Sequence, residues 1–172
     1  MGAVLSYASR EQRWTPGQKT IGVVGVGHVG SLIAEYATIW GFRVLCCDPP
    51  RERYSQNLQP WQWQPEGGFV SLDRIADPAA IITFHVPLTL TGADATFHIA
   101  DADFFSKLKD GALIINSSRG EVADTDALAD AVEKGRCNCC IDTWEGEPDI
   151  NRRLLGLSML ATPLIAGYTA QG

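Results

Sequence analysis

Six residues constrain this chain more than any others: Gly25-Val26-Gly27-His28-Val29-Gly30. Their spacing is G-x-G-x-x-G, and the flanking residues give it meaning. Thr20 to Gly25 is a short apolar run, the pattern of a parallel strand buried on both faces. Val29 to Trp40 carries apolar residues at helical spacing and stops at Gly41. Strand, glycine turn and helix in that order make a phosphate cradle. Gly25 permits the tight turn, Gly27 puts no side chain in the way of a pyrophosphate, and Gly30 lets the helix approach the strand. The helix start adds free N–H groups and the positive end of its dipole. The turn therefore reads as a dinucleotide site, with Gly25, Gly27, His28, Val29 and Gly30 against the cofactor. The competing reading is a glycine-rich turn with no ligand. His28 sits near the phosphates, as a solvated residue at a helix start rather than a catalytic one.

The same alternation continues to the end of the chain. Further strands are predicted over Phe42–Cys47, Ala79–Phe84, Ala112–Asn116, Asn138–Asp142 and Met159–Thr162. Helices are predicted over Leu72–Ala76, Asp101–Lys107 and Thr125–Lys134. Strands alternating with helices mean βαβ units. The expected fold is a single α/β domain, a Rossmann-type doubly wound parallel sheet of about six strands. Ala3–Trp14 reads as a helix broken by Thr15-Pro16-Gly17. Residues 1–16 are accordingly taken as a lead-in helix packed on the domain, and 17–172 as the domain itself. Arg51–Gly68 is rich in Gln, Pro and Trp and has no period, so it reads as a long loop. Trp61 and Trp63 alternate with Gln there, which predicts an exposed apolar contact surface.

Charge and cysteine usage exclude several functions. A net charge of -6 argues against general affinity for nucleic acid or anionic membranes. No apolar run reaches the roughly 18 residues of a membrane span. The five cysteines, Cys46, Cys47, Cys137, Cys139 and Cys140, fall in two apolar strands. They read as reduced thiols of a cytoplasmic protein, and no metal site is expected.

Asp48 refines the cofactor. It closes the second strand about 20 residues beyond the glycines, where an acid accepts hydrogen bonds from the adenosine ribose hydroxyls. A carboxylate there repels a 2′-phosphate, so NAD is expected over NADP. Arg51 and Arg53 lie close by and pull the other way. Asp48 could equally brace the Pro49-Pro50 turn, and the two roles are compatible.

Three more stretches follow the turn in a telling order: Thr83-Phe84-His85-Val86-Pro87-Leu88, Ile115-Asn116-Ser117-Ser118-Arg119-Gly120 and Asp142-Thr143-Trp144-Glu145-Gly146-Glu147-Pro148. Together with G-x-G-x-x-G they resemble the D-2-hydroxyacid dehydrogenases over nearly the whole chain. Cys47-Asp48-Pro49-Pro50-Arg51, Trp144-Glu145-Gly146-Glu147-Pro148 and Ile165-Ala166-Gly167-Tyr168-Thr169 resemble the erythronate-4-phosphate dehydrogenase branch of that family. The resemblance implies hydride transfer from carbon 2 of a small 2-hydroxyacid to NAD. It implies that Arg119 grips the substrate carboxylate, which suits a planar, permanently charged guanidinium. It implies that Glu147 orients a catalytic histidine and that Asp142 holds the nicotinamide carboxamide. His85, Val86 and Pro87 would line the adenosine side, with Ser117 and Ser118 near the cofactor beside Arg119.

One departure cuts against activity. Where the family has Thr-Pro-His, this chain has Thr162-Pro163-Leu164. Leucine cannot take the hydroxyl proton, and loss of a general base typically removes about 10²–10⁴ in rate. The family's substrate domain is also expected to be missing, so histidine alone would not restore turnover. Two rivals follow: a non-catalytic NAD(H)-sensing or interaction module, as the resembling C-terminal-binding-protein corepressors are, and an NADP-dependent glyoxylate or hydroxypyruvate reductase. The expected partners are NAD(H), a small 2-hydroxyacid and a second copy of the chain.

Overall fold

A computed structural model describes residues 15–54 and 63–167 of the 172. Its centre is one parallel sheet: β1 (Thr20–Val24), β2 (Arg43–Cys47), β3 (Ala79–Phe84), β4 (Ala112–Asn116), β5 (Cys137–Ile141) and β6 (Leu160–Ala161), in the order β2-β1-β3-β4-β5-β6. Every pair in this sheet is parallel. Beyond β2 a lone parallel bridge, Cys46 to Phe69, adds a rudimentary further rung. The helices are α1 (His28–Ile39), α2 (Pro49–Tyr54), α3 (Leu72–Ala76), α4 (Ala102–Ser106), α5 (Thr125–Glu133) and α6 (Arg152–Leu157). Short 3-10 turns occupy Pro16–Gln18 and Gly120–Val122.

Near-continuous apolar strands are what a sheet covered on both faces demands, and successive residues sort onto opposite faces. Ile21, Val23, Cys46, Ile81, Leu113, Ile115 and Cys140 share one core with Ala34 and Ala37 of α1. Val24, Cys47, Ile82, Phe84, Ile114, Cys139 and Ile141 share the other with Ile75, Phe104, Phe105 and Leu128 from α3, α4 and α5. All five cysteines are free and buried. Burial raises the thiols of Cys46 and Cys137 to about 12 and those of Cys47 and Cys140 to about 11. They are packing residues rather than nucleophiles.

The six strands and four sequence-predicted helices are present within a residue or two. Three expectations need correction. The presumed loop from Arg51 begins inside α2, because Pro49 presets φ and the Asp48 carboxylate accepts the Arg51 N–H at 2.9 Å, capping the turn. Trp63 is not an exposed tryptophan: it is half-buried and packs against the core beside Phe69, while Trp61 lies outside the described residues. α6 was not foreseen; it is nucleated by Asn151, whose side chain accepts from the N–H groups of Arg153 and Leu154. The lead-in helix over Ala3–Trp14 falls outside the described residues. Among those described, no helix is long and apolar enough to cross a membrane.

Candidate cofactor and active site

β1 pairs with β2 on one side and β3 on the other, so chain order reverses there. In a doubly wound sheet the crevice outside the carboxyl ends at such a point is where ligands bind. The glycine turn lies at that point. Gly25 has φ +86°, and a β-carbon on it would lie 2.6 Å from the His85 carbonyl oxygen. A β-carbon on Gly30 would stand 1.9 Å from the Gly25 carbonyl. Both glycines are therefore required by the protein's own packing. Gly27 differs: a β-carbon there would meet nothing within 4 Å. Its side-chain position opens onto solvent, as a residue kept small for a ligand would. His28 and Val29 are exposed at the start of α1.

Asp48 is half-buried at the end of β2, and its two oxygens accept from Val26 N at 2.8 Å and Arg51 N at 2.9 Å. It thus braces the glycine turn and caps α2. A carboxylate has about four acceptor positions, so capacity is left for ribose hydroxyls. The two arginines that argued for NADP are engaged elsewhere. Arg51 donates to the carbonyls of Val26 and Trp63, and Arg53 pairs with Asp94.

His85 follows β3, half-buried beneath the turn. Its Nε2 lies 2.9 Å from Thr83 Oγ1, and burial pushes its pKa down to about 4. The ring is neutral at pH 7 and supports the turn. Val86 is half-buried and Pro87 exposed along the same loop. After β4, the buried Asn116 organises the next segment: its Nδ2 donates to the Arg119 carbonyl, and its Oδ1 accepts from Ser118 N and Oγ. Ser117 is half-buried, Ser118 buried, and Arg119 exposed with Nη1 donating to the Ser118 carbonyl. Sequence reasoning passed over Asn116, although a polar residue closing Ala-Leu-Ile-Ile was a usable signal. It also passed over Gly120, where a β-carbon would lie 2.1 Å from the backbone of Trp144 and Glu145.

After β5, Asp142 is a buried anchor. Its carboxylate accepts from Thr162 Oγ1, Ile165 N and Ala166 N, and its carbonyl from Leu164 N at 2.7 Å. Burial pushes this carboxyl up, but the three donors outweigh it and hold the pKa below the ordinary range. Glu147 is exposed and accepts from Trp144 N at 2.9 Å. Trp144, Glu147, Thr162, Pro163 and Leu164 line one open groove. Glu147 and position 164 therefore face a common space, and residue 164 is a leucine. Leu164 has φ +54°, a left-handed backbone rare for a branched apolar residue.

Comparison with known proteins agrees with this geometry. The family described as D-isomer specific 2-hydroxyacid dehydrogenase, NAD binding domain, matches residues 6–166. An erythronate-4-phosphate dehydrogenase from Bacteroides thetaiotaomicron is 46% identical over 158 residues, which is 91% of this chain and 43% of that protein. One from Enterobacter sp. (strain 638) is 43% identical, across 90% of this chain and 39% of its own length. This chain thus spans about two fifths of the curated relatives it matches. Among solved structures, D-lactate dehydrogenase from Aquifex aeolicus, complexed with NAD and lactic acid, superposes with a TM-score of 0.75 at 31% identity, over 91% of this chain and 49% of that one. D-2-hydroxyisocaproate dehydrogenase gives 0.73 at 26%, over 98% and 54%.

Proposed function

Because the chain belongs to the D-isomer specific 2-hydroxyacid dehydrogenases as their NAD-binding domain, we propose that its parent reaction is oxidation of 4-phospho-erythronate at carbon 2 to the 2-oxo acid. The observation that carries the substrate is the 46% identity to an enzyme of that name. NAD, when bound, supplies the hydride acceptor. The turn at Gly25, Gly27 and Gly30 would take its pyrophosphate, with Gly27 placing no side chain in the way and Gly25 and Gly30 holding the turn's shape. Asp48 holds the ribose, and its engagement with Val26 keeps that carboxylate fixed beside the phosphates. Arg119 pairs with the substrate carboxylate, Glu147 lies toward position 164, and Asp142 serves the nicotinamide end. Ser117, Ser118, His85, Val86 and Pro87 complete the cofactor-side lining.

The proton is where this chain departs from its relatives' chemistry. The substrate hydroxyl must lose a proton as hydride leaves, and Leu164 offers no acceptor. His85 cannot substitute, because it is half-buried under the glycine turn, with its ring held against Thr83. We take the chain to bind NAD(H) without meaningful turnover of its own. The test follows NADH absorbance with the unmodified chain at high concentration, across pH, with 4-phospho-erythronate and other D-2-hydroxyacids. The expected result is no substrate-dependent signal; robust reduction of NAD would overturn the reading of position 164.

A non-catalytic NAD(H)-responsive module is the second reading, and Leu164 is the observation that favours it. Titration calorimetry with NAD, NADH and NADP separates both readings from an NADP-dependent reductase. Pairing with a second copy is also proposed, supported by the exposed apolar row Val29, Leu32, Tyr36 and Ile39 along α1. Sedimentation that returns only monomer overturns that pairing.

A further inference from the structure

His98 is the histidine that the glycine turn and the proton chemistry leave unused. It sits in the loop between β3 and α4 with φ +49°, a left-handed conformation that costs a non-glycine residue energy. Something must hold it there, and four contacts do. Its backbone N–H donates to the Glu121 carbonyl at 2.8 Å. Its ring stacks on Phe97, with centroids 3.9 Å apart and planes 17° from parallel. Nε2 stands 2.7 Å from Glu145 Oε1, and Nδ1 stands 3.7 Å from Asp124 Oδ2.

Those contacts join three separate loops. Asp124 caps α5, accepting from Ala127 N, and follows directly on the Gly120–Val122 turn. Glu145 belongs to the loop after β5, and its other oxygen accepts from Thr125 N at 3.3 Å. Behind this ring cluster the Gly120 backbone touches the Trp144–Glu145 peptide so closely that no β-carbon fits. The first of the two joined loops carries Arg119, one residue before Gly120. The second carries Glu147, two residues after Glu145.

We propose that His98 is a positioning residue, a proton-dependent latch that fixes the loop bearing Glu147 against the loop bearing Arg119 by bridging Glu145 and Asp124. A neutral imidazole can donate from only one ring nitrogen, so it serves one carboxylate at a time. A protonated ring carries a donor on each nitrogen, one bonded to Glu145 and one turned to Asp124 across 3.7 Å, and adds charge to both contacts. The groups facing it are acids: Glu145 and Asp124 in contact, with Asp126 and Asp149 lining the same cleft. Burial pushes the Glu145 carboxyl up, but its bonds to Thr125 and His98 outweigh burial and hold it below the ordinary range. It therefore presents an ionised acceptor to the imidazole. The proposal rests on the functional reading only for what the two loops are for; the latch stands on its own geometry.

The test is hydrogen exchange of the whole chain at pH 6 and pH 8, corrected for intrinsic exchange. Ordinary carboxylates are fully ionised through that window, and the buried His85 and the cysteines of raised pKa do not titrate in it. The reporters are the amides of His98, Thr125, Trp144 and Asp149. Protection there should be roughly three- to ten-fold greater at pH 6, the size of a charge-assisted contact at a partly exposed site. Strand amides should show no such difference. His98→Asn keeps a residue that tolerates the left-handed backbone but is too short to bridge; it should abolish the pH difference. Glu145→Gln keeps the acceptor and removes the charge, and should shrink it. A purely structural loop residue would give protection independent of pH, and that result, or a difference that survives His98→Asn, overturns the latch. NADH affinity measured on the same samples keeps the two readings apart. Lost binding with the pH difference intact counts against the function, and the reverse counts against the latch alone.

Discussion

The turn after β1 and the loops after β5 and β6 do related jobs by opposite means. The turn is made of backbone: three glycines, a helix start and one acid that braces them. The later loops are made of side chains reaching across long stretches of sequence, with Asp142 bonded to Ile165 N and His98 to Glu145. A site built from missing side chains tolerates almost no substitution and announces itself by spacing. A site built from side-chain pairs can change one member and keep its fold.

The glycines give the sharpest way to break this contrast. Gly27→Val should cut NADH affinity by at least about 100-fold, roughly 2.7 kcal/mol, with a melting temperature near that of the parent, because its β-carbon meets only open space. Gly30→Ala should do the reverse in emphasis. It forces α1 away from the Gly25 carbonyl and should destabilise the fold by about 2–4 kcal/mol in urea unfolding. Equal stability of the two variants would show that the turn's glycines are not divided between packing and binding.

A smaller effect sharpens the other side of the comparison. Asp142→Asn weakens the bonds that hold Thr162–Ala166 and should cost about 1–2 kcal/mol at pH 7. The sign with pH is set by the depressed pKa of this carboxyl. Its contribution is fully present above the unfolded value near 4 and is lost as pH falls through the folded one. Parent and variant should therefore converge in acid. A gap that widens on acidification would contradict the carboxylate's role as anchor.

The smallest effect concerns cofactor choice. Asp48→Ala should narrow the preference for NAD over NADP by less than about ten-fold, or 1.4 kcal/mol, because Arg51 and Arg53 are held by Val26, Trp63 and Asp94. An unchanged preference in competitive titration would mean that Asp48 acts on the protein alone, bracing Val26 and capping α2.

Legibility in the sequence followed the same division. The strands, α1 and the glycine turn were readable because burial on both faces and the absence of side chains leave period and spacing as signals. α2 and α6 were hidden because each owes its existence to a cap, Asp48 or Asn151, rather than to an apolar period. Trp63 looked like surface in a Gln-rich run, yet it packs against the core that Ile21, Cys46 and Ile81 build from three distant strands, which no local pattern encodes. Asp142 was placed correctly at a strand end, yet its three donors come from 20 or more residues later in the chain.

The left-handed backbone at Leu164 has a consequence for how this domain would evolve under a different selection. Leucine there carries a conformational cost of about 1–2 kcal/mol, set against partial cover for a residue that stays 36% exposed. Asparagine, glycine and histidine all bear such a φ more easily than leucine. A saturation library at this one position, sorted only for protease resistance in the absence of any cofactor or substrate, should therefore drift toward those residues and away from valine and isoleucine. The loop would then favour a histidine for reasons of shape alone, so the first step toward a proton acceptor beside Glu147 runs downhill in stability before any catalysis exists to reward it.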